Sequence, residues 1–238
     1  MKYKVLINLF SLTLLLVSGS SYAIAVSSLF EVSDTNGVGE VKILNNDGKD
    51  MFIKMTMSEV EYIDGEKLVK PLDKNNLKDW KLILTPPQVI LKPEQQKTIK
   101  FHYLCENKDS NGECVTDKDH IYAVDMSPVP YSEGQESSVA IAFGYRTYFL
   151  IPATKLDISY DLNRKGSDKF EFDNNSNTML TVVLNSCKTK FKNECIYQYR
   201  VLPGSKKEFP FPKDFVGKEK VEGVIINANE KYHKKFSL

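Results

Sequence analysis

Short segments in which polar and apolar residues alternate, separated by turn residues, make up most of this chain. Residues 51–60 place every second side chain on one face, and a period of two is typical of a β-strand that is buried on one face. The turns between such segments carry Asn, Asp and Gly, as residues 45–48 do, because these residue types tolerate the backbone angles of tight turns. The 13 Phe and 12 Tyr residues suit pleated, half-buried surfaces. The pattern predicts an all-β fold.

The N-terminus has the three parts of a secretory signal peptide. A basic start at residues 1–4 is followed by an apolar run at residues 5–17, by small residues, and by Ala23-Ile24-Ala25. The apolar run is short for a membrane span, which takes about 20 residues. We predict a signal peptide of residues 1–23 or 1–25 and export of the rest to the periplasm, with no part embedded in a membrane. The alternative is a retained anchor.

Length and one proline suggest how the remaining chain is divided. About 214 residues fit either one large β domain or two domains of about 100 residues each. Residues 139–151 form one extended run that ends at Pro152, and proline interrupts a strand ladder because it lacks an N–H group. We expect two β domains, residues 24–151 and 152–238, joined near Pro152. Their first strands are predicted at residues 26–32 and 156–162.

The four cysteines fall into two close pairs, Cys105 with Cys114 and Cys187 with Cys195. An even number of cysteines at short spacing in an exported protein indicates local disulfides. Neither pair has the Cys-x-x-Cys spacing of a zinc knuckle or a redox site. We predict the disulfides Cys105–Cys114 and Cys187–Cys195, with four free thiols as the alternative.

The residues of a catalytic centre are missing from the sequence. The three histidines, His102, His120 and His233, have no metal-ligand spacing to another His or Cys. No nucleophile motif or phosphate-binding glycine loop occurs. Lys plus Arg number 32 and Asp plus Glu 31, so the net charge does not favour a nucleic-acid partner. We predict a protein that is not an enzyme and that uses no cofactor or metal.

The run at residues 139–151 is long for a strand, since strands usually have about 5–6 residues. One face carries large side chains at every second position, whereas the other begins with Ala140, Ala142 and Gly144. The pattern therefore predicts a strand that is bulky on one face.

Three stretches together resemble the periplasmic pilus chaperones of the chaperone–usher pathway, the PapD-like family. The first is the proline-rich segment at residues 83–100, which includes Thr85-Pro86-Pro87. The second is residues 121–130, and the third is the run that ends at Pro152. The resemblance covers the first domain well and the second more loosely.

The resemblance implies two immunoglobulin-like β-sandwiches set at an angle, and a function in pilus assembly. Such a chaperone caps and folds fimbrial subunits by donor-strand complementation and delivers them to an outer-membrane usher. The donor strand would be residues 139–151, contacting the subunit through Val139, Ile141, Phe143, Tyr145 and Thr147. An ordinary core strand is the alternative for this run. For the whole chain, the alternative function is an exported immunoglobulin-like adhesin or pilus subunit.

The sequence departs from the family pattern at the residues that hold a subunit's C-terminal carboxylate. The family has an arginine near the mature N-terminus and a lysine in the donor strand. Residues 26–32 contain no basic residue, and Thr147 occupies the lysine position. We nominate Arg146, next to Thr147, and Lys100, at the end of the proline-rich segment, as carboxylate anchors. A solvated surface cation is the alternative for each.

Overall fold

The computed structural model describes residues 24–63, 65–130, 143–187 and 195–238. Residues 1–23 of the predicted signal peptide therefore lie outside the described residues, whereas Ile24 and Ala25, which the longer version includes, belong to the first strand, Ile24–Val26. Within these ranges the chain forms nineteen strands and one 3₁₀ helix, Leu77–Asp79, and no α-helix. No helix in this part of the chain is both long and apolar enough to cross a membrane. The predicted all-β fold is confirmed.

The strands of the first half build two facing sheets. Their bounds are β1 (Ile24–Val26), β2 (Phe30–Val32), β3 (Val38–Asn45), β4 (Met51–Ile63), β5 (Glu66–Leu72), β6 (Leu82–Thr85), β7 (Gln88–Leu91), β8 (Gln96–Tyr103), β9 (Asn107–Lys108), β10 (Cys114–Val115), β11 (His120–Pro130) and β12 (Tyr145–Ile151). One sheet has the order β1-β3-β8-β6 and the other the order β2-β12-β11-β4-β5, with β7 beside β4. Between the sheets lies an apolar core that includes Ile43, Ile53, Ile99, Phe101 and Phe149.

The chain changes sheets at two points in this sandwich. Strand β6 pairs with β8 in one sheet, and β7, after Pro86-Pro87, pairs with β4 in the other. Proline cannot donate a backbone hydrogen bond to a strand ladder. Pro86-Pro87 therefore ends β6 before β7 begins in the other sheet. The N-terminal segment does the same: β1 pairs with β3, and β2 pairs with β12. The single strand predicted at residues 26–32 is therefore wrong, because the chain crosses between the sheets at residues 27–29.

The second half forms a smaller sandwich. Its strands are β13 (Tyr160–Lys165), β14 (Lys169–Asn174), β15 (Leu180–Asn185), β16 (Ile196–Val201), β17 (Ser205–Pro210), β18 (Glu222–Asn227) and β19 (His233–Ser237). One sheet has the order β13-β14-β17 and the other the order β16-β15-β18-β19. Phe170, Phe172 and Leu180 are fully buried in its core. The strand predicted at residues 156–162 begins only at Tyr160, because residues 157–159 instead bond to the turn after β14, as Asp157 N–H does to Asn177 Oδ1.

Two disulfides join the cysteine pairs that the sequence predicted. Cys105 is bonded to Cys114 across the small β9–β10 ladder, and Cys187 is bonded to Cys195. Gly37 lies against the first disulfide with a φ of 76°, and a Cβ atom there would lie 3.1 Å from the Cys114 sulfur. This position therefore needs glycine both for its backbone angle and for space.

The two sandwiches share a small apolar cluster. Leu150, Ile121 and Val60 from the first sandwich lie in it with Met179 of the second. Gly204, in the turn between β16 and β17, lies so close to β4 that a Cβ atom would be 2.7 Å from the Tyr62 carbonyl oxygen. These contacts hold the outer face of the β12 sheet against the second sandwich.

The Asp119 carboxylate adds a polar link at this interface. It is 7% exposed. One carboxylate oxygen accepts a hydrogen bond from the Ala153 N–H at 2.7 Å, and the other accepts one from the Met179 N–H at 2.6 Å. Both donor residues are buried. One side chain thus ties the start of β11 to the segment after β12 and to the second sandwich.

We predict that Asp119→Ala lowers the free energy of unfolding by about 1–3 kcal/mol, because two buried N–H groups lose their acceptor. Burial raises the pKa of the Asp119 carboxyl group, because a charged carboxylate is desolvated there. Removing the carboxylate also removes this desolvation cost, so the loss of stability is smaller than the sum of two hydrogen-bond energies. Urea unfolding at neutral pH measures the change.

Asp117→Ala is the matched control, since Asp117 is exposed and lies only two residues away. It should change the unfolding free energy by less than about 0.5 kcal/mol. Equal effects of the two substitutions would contradict the linking role of Asp119.

Candidate functional site

Among the described residues, only part of one edge of β12 is paired with another strand. On one side β12 is antiparallel to β11 from Tyr145 to Ile151, and on the other side it is parallel to β2 from Tyr148 to Leu150. The segment from Tyr145 to Thr147 therefore has a strand partner on one side only, among the described residues. A strand edge without a partner presents backbone N–H and C=O groups to which another chain can bond.

The structure covers only part of the predicted partner-binding run. Val139 and Ile141 lie outside the described residues. Phe143 precedes β12 and is 67% exposed, and Tyr145 at the start of the strand is half-buried. Within the described part, the extended run predicted from residue 139 is a regular strand only from Tyr145 onward.

The second half of β12 belongs to the core of the first sandwich. Thr147 is fully buried, and its hydroxyl donates to the Ser28 carbonyl oxygen at 3.0 Å. Phe149 and Ile151 lie in the same core. In this structure, residues 147–151 thus contribute their inward-facing side chains to the core of the first sandwich.

The opposite face of β12 is not uniformly small, contrary to the sequence prediction. Leu150 is buried, and it packs with Tyr148 in the cluster between the sandwiches. Gly144 is small for a specific reason, because a Cβ atom there would lie 2.6 Å from the Met126 carbonyl oxygen. Glycine at this position allows the segment before β12 to approach the backbone of β11 closely.

Arg146, one of the two nominated anchors, is paired with an acidic neighbour across the ladder. Its Nε and Nη2 atoms donate to the two oxygens of Asp125 at 2.6 and 2.8 Å. The guanidinium is 45% exposed, and hydrogen bonding to Asp125 raises the pKa of Arg146 above its ordinary value. An open cleft of about 510 Å³ surrounds the pair, lined by Thr56, Asp125, Met126, Ser127, Gly144, Tyr145 and Arg146.

Lys100, the other nominated anchor, lies on a different sheet. It is exposed in β8 and is opposite Glu40 and Thr85 in the ladder, whereas its neighbours Ile99 and Phe101 are fully buried. Alternation along β8 therefore directs Lys100 to the solvent on the outer face of the sheet that does not contain β12. The structure does not bring Lys100 and Arg146 into one site.

Arg200, which the sequence did not single out, also lies near β12. It belongs to β16 of the second sandwich, and its guanidinium carbon lies 5.0 Å from the centre of the Phe30 ring in β2. Phe30 is in turn opposite Tyr148 of β12. No sequence signal identifies this contact, because residues 30 and 200 meet only through the packing of the two sandwiches.

The described residues contain a second, larger cavity between the sandwiches, of about 600 Å³. The two lysines that line it, Lys118 and Lys206, are each paired with acidic side chains. Lys118 contacts Glu61 at 2.6 Å, and Lys206 lies 3.2 Å from Glu171 and 3.7 Å from Asp173. The described part of the chain has no group of three His, Cys, Asp or Glu side chains placed to hold a metal ion. This cavity therefore offers neither a metal site nor an unmatched lysine.

Sequence comparison connects the first half of the chain with fimbrial proteins. Residues 26–152, more than half of the chain, match the family described as "CS5 fimbrial protein N-terminal domain". A protein of Escherichia coli described as an uncharacterized 25.9 kDa protein in the CS5 3′ region is 24% identical over 208 residues. The match covers 82% of this chain and 84% of that protein.

Solved structures with the same fold include fimbrial chaperones. The class 5 fimbriae chaperone CfaA is 13% identical, with a TM-score of 0.53 over 90% of this chain and 98% of CfaA. A chain in the complex of the Salmonella enterica SafA pilin with the SafB chaperone is 12% identical. Its TM-score is 0.53, over 93% of this chain and 99% of that chain. At these identities the likeness establishes the fold, and it confirms the two β-sandwiches that the resemblance of the three stretches implied.

We predict that Gly144→Ala lowers the free energy of unfolding by about 1–3 kcal/mol, because the added methyl group has to displace the backbone of β11 or of its own segment. Thermal or urea unfolding tests this. Gly48→Ala is the matched control, since a Cβ atom at Gly48 meets nothing within 4 Å. A Gly144→Ala protein as stable as the control would show that the segment before β12 is free to move.

Proposed function

Since this chain belongs to the family described as the CS5 fimbrial protein N-terminal domain, we propose that it is a periplasmic chaperone for fimbrial subunits. It binds a subunit by adding the uncovered part of the β12 edge, and the exposed side chains before it, to the subunit's incomplete sheet. The signal peptide predicted at residues 1–23 or 1–25 directs the protein to the periplasm.

The observation that carries this proposal is the half-covered edge of β12. Tyr145 and Arg146 pair with β11 on one side and have no described strand on the other. A subunit that lacks a strand has an equally incomplete sheet, and joining the two edges satisfies the backbone groups of both. Phe143, already 67% exposed, gains burial only when a partner covers it.

The solved structures support a chaperone rather than the alternative, an adhesin or pilus subunit. The chain matches nearly the whole of CfaA, a class 5 fimbriae chaperone, and this match includes both sandwiches. Another structure of the same fold is described as a chaperone–tip adhesin complex, with a TM-score of 0.51. We therefore assign the chain the chaperone role, with fimbrial subunits as partners and an outer-membrane usher as the receiver of the complex. The role requires binding and no catalysis.

Side-chain alternation sets the register between chaperone and subunit. A slip of one residue would turn every contact side chain to the wrong face. We assign subunit contacts to Val139, Ile141, Phe143 and Tyr145, and a carboxylate contact to Arg146. Because Asp125 already binds the Nε and Nη2 atoms of Arg146, a subunit carboxylate would share this guanidinium with Asp125. Lys100 has no part in the site that we propose.

We predict that Ile141→Asp combined with Phe143→Asp reduces the subunit recovered with the protein from the periplasm by more than about a hundredfold. Each large apolar side chain contributes about 1.5–3 kcal/mol when it is buried, and 1.4 kcal/mol is a factor of ten in affinity. Affinity purification from an intact periplasm, with mass spectrometry of the partner, measures the recovery.

Ile83→Asp combined with Val115→Asp is the matched control. These side chains are 42% and 43% exposed and lie away from β12, so the same added charge should leave subunit recovery unchanged. Circular dichroism checks that both double variants are folded. Full recovery with the Ile141→Asp, Phe143→Asp protein would overturn the donor-strand assignment.

A further inference from the structure

The strand at the far side of the β12 sheet has an open edge of its own. β5 (Glu66–Leu72) is the last strand in the order β2-β12-β11-β4-β5, and among the described residues no strand pairs with its outer edge. Leu68 and Val69 are 48% and 44% exposed, and Ile63, opposite Glu66 in β4, is 52% exposed. A strand edge with exposed apolar side chains is a surface to which another strand can add.

The register of the β4–β5 hairpin determines which backbone groups of β5 are directed outward. Ile63 is opposite Glu66, and only two residues separate them along the chain, so this pair closes the hairpin with hydrogen bonds. Hydrogen-bonded and non-bonded pairs alternate along an antiparallel ladder. Lys67 and Val69 therefore direct their N–H and C=O groups away from β4.

The open part of this edge is short. Pro71 also faces outward in this alternation, but it has no N–H group to donate. Its carbonyl oxygen already accepts a hydrogen bond from Asn76 Nδ2 at 2.7 Å. At its other end the strand begins at Glu66. The edge thus offers a partner two N–H groups and two C=O groups, those of Lys67 and Val69.

The residues of this edge complement those of a second copy of the chain. When two β5 strands pair antiparallel about Leu68, Lys67 of each strand is opposite Val69 of the other. The four outward N–H groups then meet four C=O groups. In the same register Glu66 of each strand is opposite Lys70 of the other, on the face that also carries Leu68. Opposite charges at facing positions favour pairing, and like charges oppose it.

The neighbouring registers are less favourable. Pairing about Val69 places Lys67 opposite Pro71, which has no N–H group and whose carbonyl oxygen is engaged with Asn76. Pairing about Lys67 places the two copies of this lysine opposite each other, and pairing midway between Leu68 and Val69 places Lys67 opposite Lys70. Like charges repel each other in both cases. Backbone and charge therefore select the register about Leu68.

We propose that β5 is a self-association edge, at which two copies of this chain pair antiparallel about Leu68. The pairing joins two sheets into one continuous sheet, and the Leu68 side chains of the two copies cover each other. The contact involves about five residues from each copy, whereas a stable interface involves about 20–30. The dimer is therefore weak and forms only at high protein concentration.

The ion pair that Lys70 already forms is compatible with this contact. Its ammonium group lies 2.7 Å from the Asp79 carboxylate, and the two side chains are 54% and 45% exposed. An ammonium group has three N–H donors. Lys70 can therefore contact Asp79 of its own chain and Glu66 of the second copy together.

Pairing at β5 leaves the proposed subunit-binding edge free. β11 and β4 lie between β12 and β5 in the sheet, so the two β12 strands of a dimer are at its far sides. The inference does not rest on the proposed chaperone function, because self-association through β5 neither requires a bound subunit nor excludes one.

Sedimentation equilibrium of the protein purified from the periplasm, from micromolar to near-millimolar concentration, tests self-association and should show a reversible monomer–dimer equilibrium. Glu66→Lys and Lys70→Glu each place like charges opposite each other twice in the dimer, so each should weaken the dimer about tenfold. The combined variant Glu66→Lys, Lys70→Glu restores opposite charges and should recover dimer formation. Lys235→Glu is the matched control, since it reverses an exposed lysine on β19, the edge strand of another sheet, and it should dimerise like wild type.

A cysteine at the centre of the contact tests the register. In a non-bonded antiparallel pair the Cα atoms are about 4.5 Å apart, a separation that a disulfide spans. Leu68→Cys should therefore form a covalent dimer on mild oxidation, visible on a non-reducing gel. Val216→Cys is the matched control, because Val216 is also 48% exposed and lies in the second sandwich, and it should crosslink at least tenfold more slowly.

Three results would overturn the inference. The first is a protein that stays monomeric over the whole concentration range, which would leave the charged residues and Pro71 as groups that protect the edge from pairing. The second is a Leu68→Cys protein that crosslinks no faster than Val216→Cys. The third is loss of the dimer in Ile141→Asp combined with Phe143→Asp, which would place the contact at β12. Equal unfolding midpoints of the variants separate loss of association from loss of fold.

Discussion

The N-terminal segment cannot cover the whole edge of β12, because its first part is already paired elsewhere. Strand β1 is bonded to β3 in one sheet, and the chain reaches β12 only as β2, from Phe30 onward. Every backbone group that β1 bonds in the first sheet is unavailable to the second. The part of the β12 edge at Tyr145 that no described strand covers follows from this division of one short segment between two sheets, as does the position of Phe30 under Arg200.

The contact between Arg200 and Phe30 depends on a stable interface between the sandwiches. Arg200 reaches Phe30 only if the second sandwich stays against the outer face of the β12 sheet. The Asp119 carboxylate contributes to this position by accepting hydrogen bonds from two buried N–H groups. Buried groups of this kind have no water to replace a lost partner.

Several features of the fold were predictable because they depend on local rules. Alternation located β4 and β8, and Pro86-Pro87 separated two strands because proline has no N–H group for a ladder. Both disulfides followed from close spacing along the chain. The sequence did not predict that residues 26–32 contribute to two strands. The chain changes sheets at residues 27–29, and this change has no clear signal in the order of polar and apolar residues.

By itself, the sequence determined the all-β class, the disulfides, the resemblance to fimbrial chaperones, and which residues of one strand share a face. It placed Phe143, Tyr145 and Thr147 on one face of a run. The tertiary structure decided that Thr147 is core whereas Phe143 is exposed, because β2 covers only part of the strand. It also separated Lys100 from Arg146 and brought Arg200 to Phe30. Alternation relates neighbours along one strand, but contacts between residues far apart in the chain arise only when sheets and sandwiches pack.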